Sequence, residues 1–124
     1  MKLTRHAPTD RQIIQRYGNG GFRISGMEFS GSVLVLPSVT SAWAHSSMNT
    51  LTLESFSPVL EIASTLDVFL LGCGERMELL SRDLRSALRD HGLAVDTMAT
   101  GSACRSYNVL VTEGRSVAAA FIAI

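Results

Sequence analysis

The residues on which chemistry could be built are few. Cys73 sits between Gly72 and Gly74, directly after an apolar run. Glycines at such a point let a ligand or a second backbone come close, and open α/β sheets bind ligands in crevices beyond their strand ends. The plainer reading is a tight turn carrying a buried thiol. Thr100, Gly101 and Ser102 form a second candidate, because the free N–H groups and dipole of a helix start make a weak anion site. Arg105 or Arg115 could hold the anionic group by a forked contact, and an ordinary capped helix is the alternative. Cys73 or Cys104 could act as a nucleophile, but only in an electropositive, partly open setting.

Other chemistries find no support in the spacing. Cys73 and Cys104 lack Cys-x-x-Cys spacing, which disfavours metal or dithiol chemistry. His6, His45 and His91 stand apart in polar surroundings, without the i, i+4 pattern of a zinc-binding helix, and read as solvated. The glycine-rich stretch from Gly18 to Arg23 fails the dinucleotide pattern, since Arg23 occupies the sixth position and no strand–turn–helix follows. There is no Walker A sequence and no nucleophile elbow. No metal and no cofactor is expected.

The elements that must position these residues follow from periodicity. Residues 1–12 are polar and read as a flexible or covering segment, with a single domain over 13–124. Ile13 and Ile14 open a short strand, Gly18 to Gly21 mark a turn, and Phe22 and Ile24 alternate with polar neighbours. Met27 to Phe29 extend again, and Val33 to Leu36 read as a buried strand ended by Pro37. Residues 38–50 read as a serine- and threonine-rich loop holding Trp43, whose indole either packs on the core or anchors a partner. A helix is expected between Thr52 and Thr65, with Ser55 as N-cap and Pro58 in its first turn. Val68 to Leu71 suit a central strand. A second helix follows Ser81 and stops at Gly92, and Leu93 to Met98 read as a strand. The third helix runs from a Thr100 cap to about Glu113. On a wheel at ~100° per residue, Ala103, Cys104, Tyr107, Leu110 and Val111 share one face and Val109 falls on the wet side. Val117 to Ile124 read as a last apolar strand.

The chain has 124 residues, of which 46% are hydrophobic and 18% charged, a mix that excludes wholesale disorder and coiled coils. Eleven basic residues, ten of them arginine, balance eleven acidic ones. That balance gives no broad attraction to nucleic acid or anionic lipid. The N-terminus lacks the apolar segment of a signal peptide, and no run approaches the roughly 18 residues of a membrane span. A cytoplasmic location with reduced thiols is the expectation.

Five stretches in order carry a resemblance: Phe22-Arg-Ile-Ser-Gly26, Gly31-Ser-Val-Leu-Val-Leu-Pro37, Trp43, Phe69-Leu-Leu-Gly-Cys-Gly74, and Met98 through Ala120. Together they resemble a small family of domains that includes the mitochondrial complex I assembly factor 3, bacterial and archaeal relatives, and an animal protein linked to adipogenesis. The order of elements argues for a single α/β domain with a mixed β-sheet, about three helices and a hairpin-like N-terminal half, and the resemblance implies a three-layer α/β fold with a mixed sheet. It implies no established catalytic activity. Where the family pattern reads Asp-Thr this chain has Ala99-Thr100, and where the family's glycine pair encloses threonine it has Cys73. Both differences remove polar groups from the places where a reaction centre would be sought.

Three functions remain open. The first is a non-catalytic protein-binding module, an assembly factor for a respiratory or other membrane complex, with Trp43 and Val109 as contact residues. The second is a small anionic-ligand-binding protein using Gly72, Cys73, Gly74, Thr100, Gly101, Ser102, Arg105 and Arg115. The third is a cysteine-dependent enzyme. A protein partner and a possible homo-oligomer fit the first.

Overall fold

The computed structural model describes residues 11–124. The N-terminal segment expected over 1–12 therefore lies outside the described residues, save Arg11 and Gln12. The N-terminal half is hairpin-like, as expected. Strands β1 (Ile14–Gly18), β2 (Gly21–Ile24) and β3 (Met27–Ser30) form an antiparallel three-stranded sheet in that order. The β1–β2 turn is Asn19-Gly20, both with positive φ, the geometry that matches the twist of a two-residue hairpin.

A second, mixed sheet forms the centre. It contains β4 (Val33–Val35), β5 (Thr40–Ala42), β6 (Val68–Gly72), β7 (Asp96–Met98) and β8 (Val117–Phe121), in the order β5-β4-β8-β6-β7. Pairs β5–β4 and β4–β8 are antiparallel, and β8–β6 and β6–β7 are parallel. The central strands are almost wholly apolar because both of their faces are covered. On one face Val33, Val35, Leu70, Val117, Ala119 and Phe121 meet the small sheet and helix α3 (Thr100–Thr112). On the other, Leu34, Phe69, Leu71, Ala118 and Ala120 meet helix α2 (Arg82–Asp90) and the 43–66 region. The result is a three-layer α/β domain.

Three expectations are corrected. The 52–65 stretch is not one helix. It forms a 3₁₀ turn over Leu53–Phe56, a single α-turn α1 (Ser57–Leu60), and a second 3₁₀ turn over Ala63–Thr65. Ile62 N–H bonds to the Val59 carbonyl three residues back, which tightens the ladder and ends it. Ser55 is not its N-cap: its hydroxyl accepts from Thr52 N–H instead. Residues 38–50 are not all loop, since β5 lies within them as an edge strand. Helix α2 starts at the expected Ser81 cap, whose hydroxyl accepts from Leu84 N–H at 3.2 Å. Gly92, with φ of 89°, follows its end.

Candidate functional site

The end of β6 and the start of α3 are adjacent, and they are bonded to each other. Thr100 N–H donates to the Gly74 carbonyl at 2.9 Å, and Gly74 N–H donates to Thr100 Oγ1 at 2.9 Å. The same hydroxyl donates to the Ile122 carbonyl at 2.7 Å, while Ile122 N–H returns to Gly72 at 2.9 Å. Thr100 is fully buried. The expected Thr100 cap is therefore corrected: Ala99 is the N-cap and Thr100 is the first helical residue. Its hydroxyl serves the neighbouring strand ends and not its own helix. Gly72 is needed for close approach of the helix backbone, since a Cβ there would lie 3.0 Å from both Thr100 Cα and Oγ1. The space beside this glycine is filled by protein.

The two thiols lie on opposite faces of the central sheet. Cys73 Sγ donates to the Glu78 carbonyl at 3.2 Å. Burial pushes its pKa up, against the backbone hydrogen bonds from Glu78 and Met98. Burial pushes Cys104 further, to about 12, with only Arg105 opposing. Both groups are held as neutral thiols, the opposite of the electropositive setting a nucleophilic cysteine requires. Among the described residues, no group of three or more His, Cys, Asp or Glu could hold a metal ion.

The other candidate residues scatter. Gly101 lies beneath Tyr17, whose hydroxyl would be 3.0 Å from an added Cβ. Arg105 donates to that hydroxyl at 2.7 Å and to Ser102 Oγ at 3.4 Å. Arg115 sits beyond the far end of α3, about 20 Å along the axis for thirteen residues. Its Nε faces Asp67 at 3.6 Å. It is thereby separated from the Thr100 end, and the two arginines cannot close on one small anion there. Trp43 is only 8% exposed. Its Nε1–H donates to the Ser55 carbonyl at 3.0 Å, and its ring packs edge-on against Phe56 and His45. The indole thus presents almost no area to a partner, and His45 is half-buried against it where full solvation was expected.

Val109 is different. It is 56% exposed on the crest of α3, beside a groove of about 430 Å³. Val68, Leu70 and Met98 line the sheet side, and Leu110 joins Val109 on the helix side. Arg105 and Asp96 bring opposite charges to the same groove. The groove arises because α3 packs mainly on β6 and β8. The face of the edge strand β7 is left half-covered, with Asp96 exposed.

The family model described as "Protein of unknown function (DUF498/DUF598)" matches residues 14–122. The chain belongs to that family. Members with curated names include the NADH dehydrogenase (ubiquinone) 1 alpha subcomplex assembly factor 3 of Xenopus tropicalis, 31% identical over 95% of this chain and 74% of its own length. The Bos taurus protein of that name is 32% identical, over 97% of this chain and 65% of its own length. The chain thus spans about two-thirds of the length of these relatives. An uncharacterized protein of Rhodobacter capsulatus is 32% identical over 88% of this chain and 82% of its own. Among solved structures, one described as an outer membrane protein from Bartonella henselae has a TM-score of 0.83 at 39% identity, covering 91% of this chain and 95% of that one. A Bordetella pertussis structure described as an Mth938-like domain has a TM-score of 0.75 at 24% identity, covering 98% and 91%, and attests the fold.

One residue that ties α3 to the small sheet gave little signal in sequence. Asn108 lies off the apolar stripe of α3, yet its side-chain amide accepts from Ile14 N–H at 2.9 Å and donates to the Ile14 carbonyl at 2.7 Å. Tyr107, buried within the stripe, reaches the Gln12 carbonyl at 2.9 Å. Burial pushes its phenol pKa up. Among the described residues no helix is long and apolar enough to cross a membrane.

Proposed function

We propose that the chain is a non-catalytic protein-binding module that assists the assembly of a respiratory or other membrane complex, working in the cytoplasm. The observation that carries this reading is the groove beside Val109, where a large apolar side chain stands 56% exposed over an apolar hollow. An exposed apolar patch rimmed by charge is the usual mark of a protein interface. The curated names of the relatives, assembly factors of NADH dehydrogenase, support the same reading. The anionic-ligand alternative is disfavoured because Thr100 and Gly74 already satisfy each other.

The test is affinity capture from a native lysate with stoichiometric quantification, comparing the native chain with Val109→Glu. Expected is a reproducible partner set containing subunits of a membrane complex, lost with the variant. Recovery of no reproducible partner across growth conditions would overturn the reading.

A further inference from the structure

The groove has the attributes of a surface that fits itself. Its knob, Val109, and its hollow, floored by Val68, Leu70 and Met98, belong to one patch. A two-fold interface requires that kind of patch, because the same surface must supply both halves of the contact. The charges obey the same rule. One cation, Arg105, and one anion, Asp96, line the groove. Asp96 makes no ion pair among the described residues, and Arg105 bonds only the neutral hydroxyls of Tyr17 and Ser102 there. Among the described residues both charges thus lack an ionic partner. A groove of a single sign would repel its own copy, whereas this pair is complementary to itself under a two-fold rotation. A formal net charge of zero adds no long-range repulsion between copies.

A second exposed apolar side chain lies on the other face of the edge strand. Thr97 of β7 points to the opposite face of the sheet from Met98, and its Oγ1 lies 3.8 Å from Met77 Sδ. Met77 is 55% exposed. The edge strand is thus flanked by exposed apolar side chains on both faces, and only three residues long, too short to recruit a partner by backbone pairing alone.

We propose that the α3–β7 groove is closed by a second copy of the chain in a two-fold dimer, each Val109 entering the partner's hollow and each Arg105 facing the partner's Asp96. This starts from the docking reading above and names a second copy as the groove's resting occupant, which a membrane-complex partner would have to displace.

The experiment is sedimentation velocity on the purified full chain from about 1 µM to about 1 mM, the range that brackets typical transient dimers. The expected result is concentration-dependent dimerisation. Val109→Glu should weaken it by at least about tenfold, the loss expected for an interface anchor. Asp96→Arg and Arg105→Glu should each weaken it singly. The double exchange within one chain should restore it, because only a self-complementary interface regains both pairs from one swapped sequence. Native-like emission from Trp43 serves as the folding control for every variant. A chain monomeric throughout that range overturns the dimer. So does a dimer indifferent to Val109→Glu, or one that the double exchange fails to restore. A strict monomer that still captures lysate partners in a Val109-dependent way refutes the dimer alone and leaves the docking function standing. A Val109-dependent dimer with no lysate partner does the reverse.

Discussion

Replacing Thr100 by valine keeps the shape of the side chain and removes one hydroxyl. In the native chain that hydroxyl accepts from Gly74 N–H at 2.9 Å and donates to the Ile122 carbonyl at 2.7 Å, in a site with no solvent exposure. Valine leaves both backbone groups buried without that partner. An orphaned buried polar group costs about 1–3 kcal/mol, so two cost roughly 2–6 kcal/mol. Burying a methyl in place of a hydroxyl returns about 1 kcal/mol. The expected loss is about 1–5 kcal/mol, a large part of the 5–15 kcal/mol that holds a typical domain. Thr100→Ser retains both hydrogen bonds and removes only a methyl, costing about 1 kcal/mol. Urea unfolding followed by Trp43 emission would measure both, with an unchanged m-value as the check on two-state behaviour. Hydrogen exchange at the Gly74 amide supplies a local readout, and should speed up in the valine variant well before the rest of β6. A valine variant within about 0.5 kcal/mol of the native chain, the range of ordinary surface changes, would refute the reasoning. A serine variant less stable than valine would do the same.

Three further outcomes follow from neighbouring features. Gly72→Ala places a Cβ against the Thr100 backbone and should cost about 1–3 kcal/mol by overpacking, whereas Gly101→Ala meets the movable end of Tyr17 and gains about 1 kcal/mol of helix propensity, leaving it near neutral in the same urea assay. Cys104 has a folded pKa of about 12, above its ordinary value, so the folded state keeps its proton where the unfolded chain loses it. Its contribution is fully present below the unfolded pKa near 9 and is lost as pH rises towards 12, at up to about 1.4 kcal/mol per pH unit. Alkaline unfolding should therefore be shallower in Cys104→Ala, and equal slopes would contradict the assignment. Trp43 is the only tryptophan, so native emission should be blue-shifted and move red on unfolding, and Trp43→Ala should cost about 3–5 kcal/mol as a large-to-small core change.

Much of the fold was legible because its signals are local. The apolar runs at 33–36 and 68–71 announce strands covered on both faces, and the stripe through Ala103, Tyr107 and Val111 predicts α3 to within a residue of its end. Ser81 and Gly92 bracket α2 by cap chemistry alone. The 52–65 segment misled because spacing does not distinguish α from 3₁₀ turns, and its ladder fails at Ile62. Strand β5 was invisible because Thr40, Ser41 and Ala42 lie at an edge and are largely exposed, so alternation has nothing to encode. Thr100 looks like any capping threonine. Its true partners, Gly74 and Ile122, lie 26 and 22 residues away in sequence. Val109 was visible on the helical wheel as an outlier. Its hollow was not, since Val68, Leu70 and Met98 reach it only through the parallel pairing of β6 with β7.

Asn108 has one more implication. By offering Ile14 both an acceptor and a donor, its amide imitates the next strand of the small sheet and occupies the rim of β1. At Ile14 the rim is thereby closed to pairing by another strand. The same two bonds tie α3 sideways to the hairpins while Thr100 bolts its first turn to the central strands. A pull on the crest of the helix is shared by both sheets at once, so α3 can shift only if both give way.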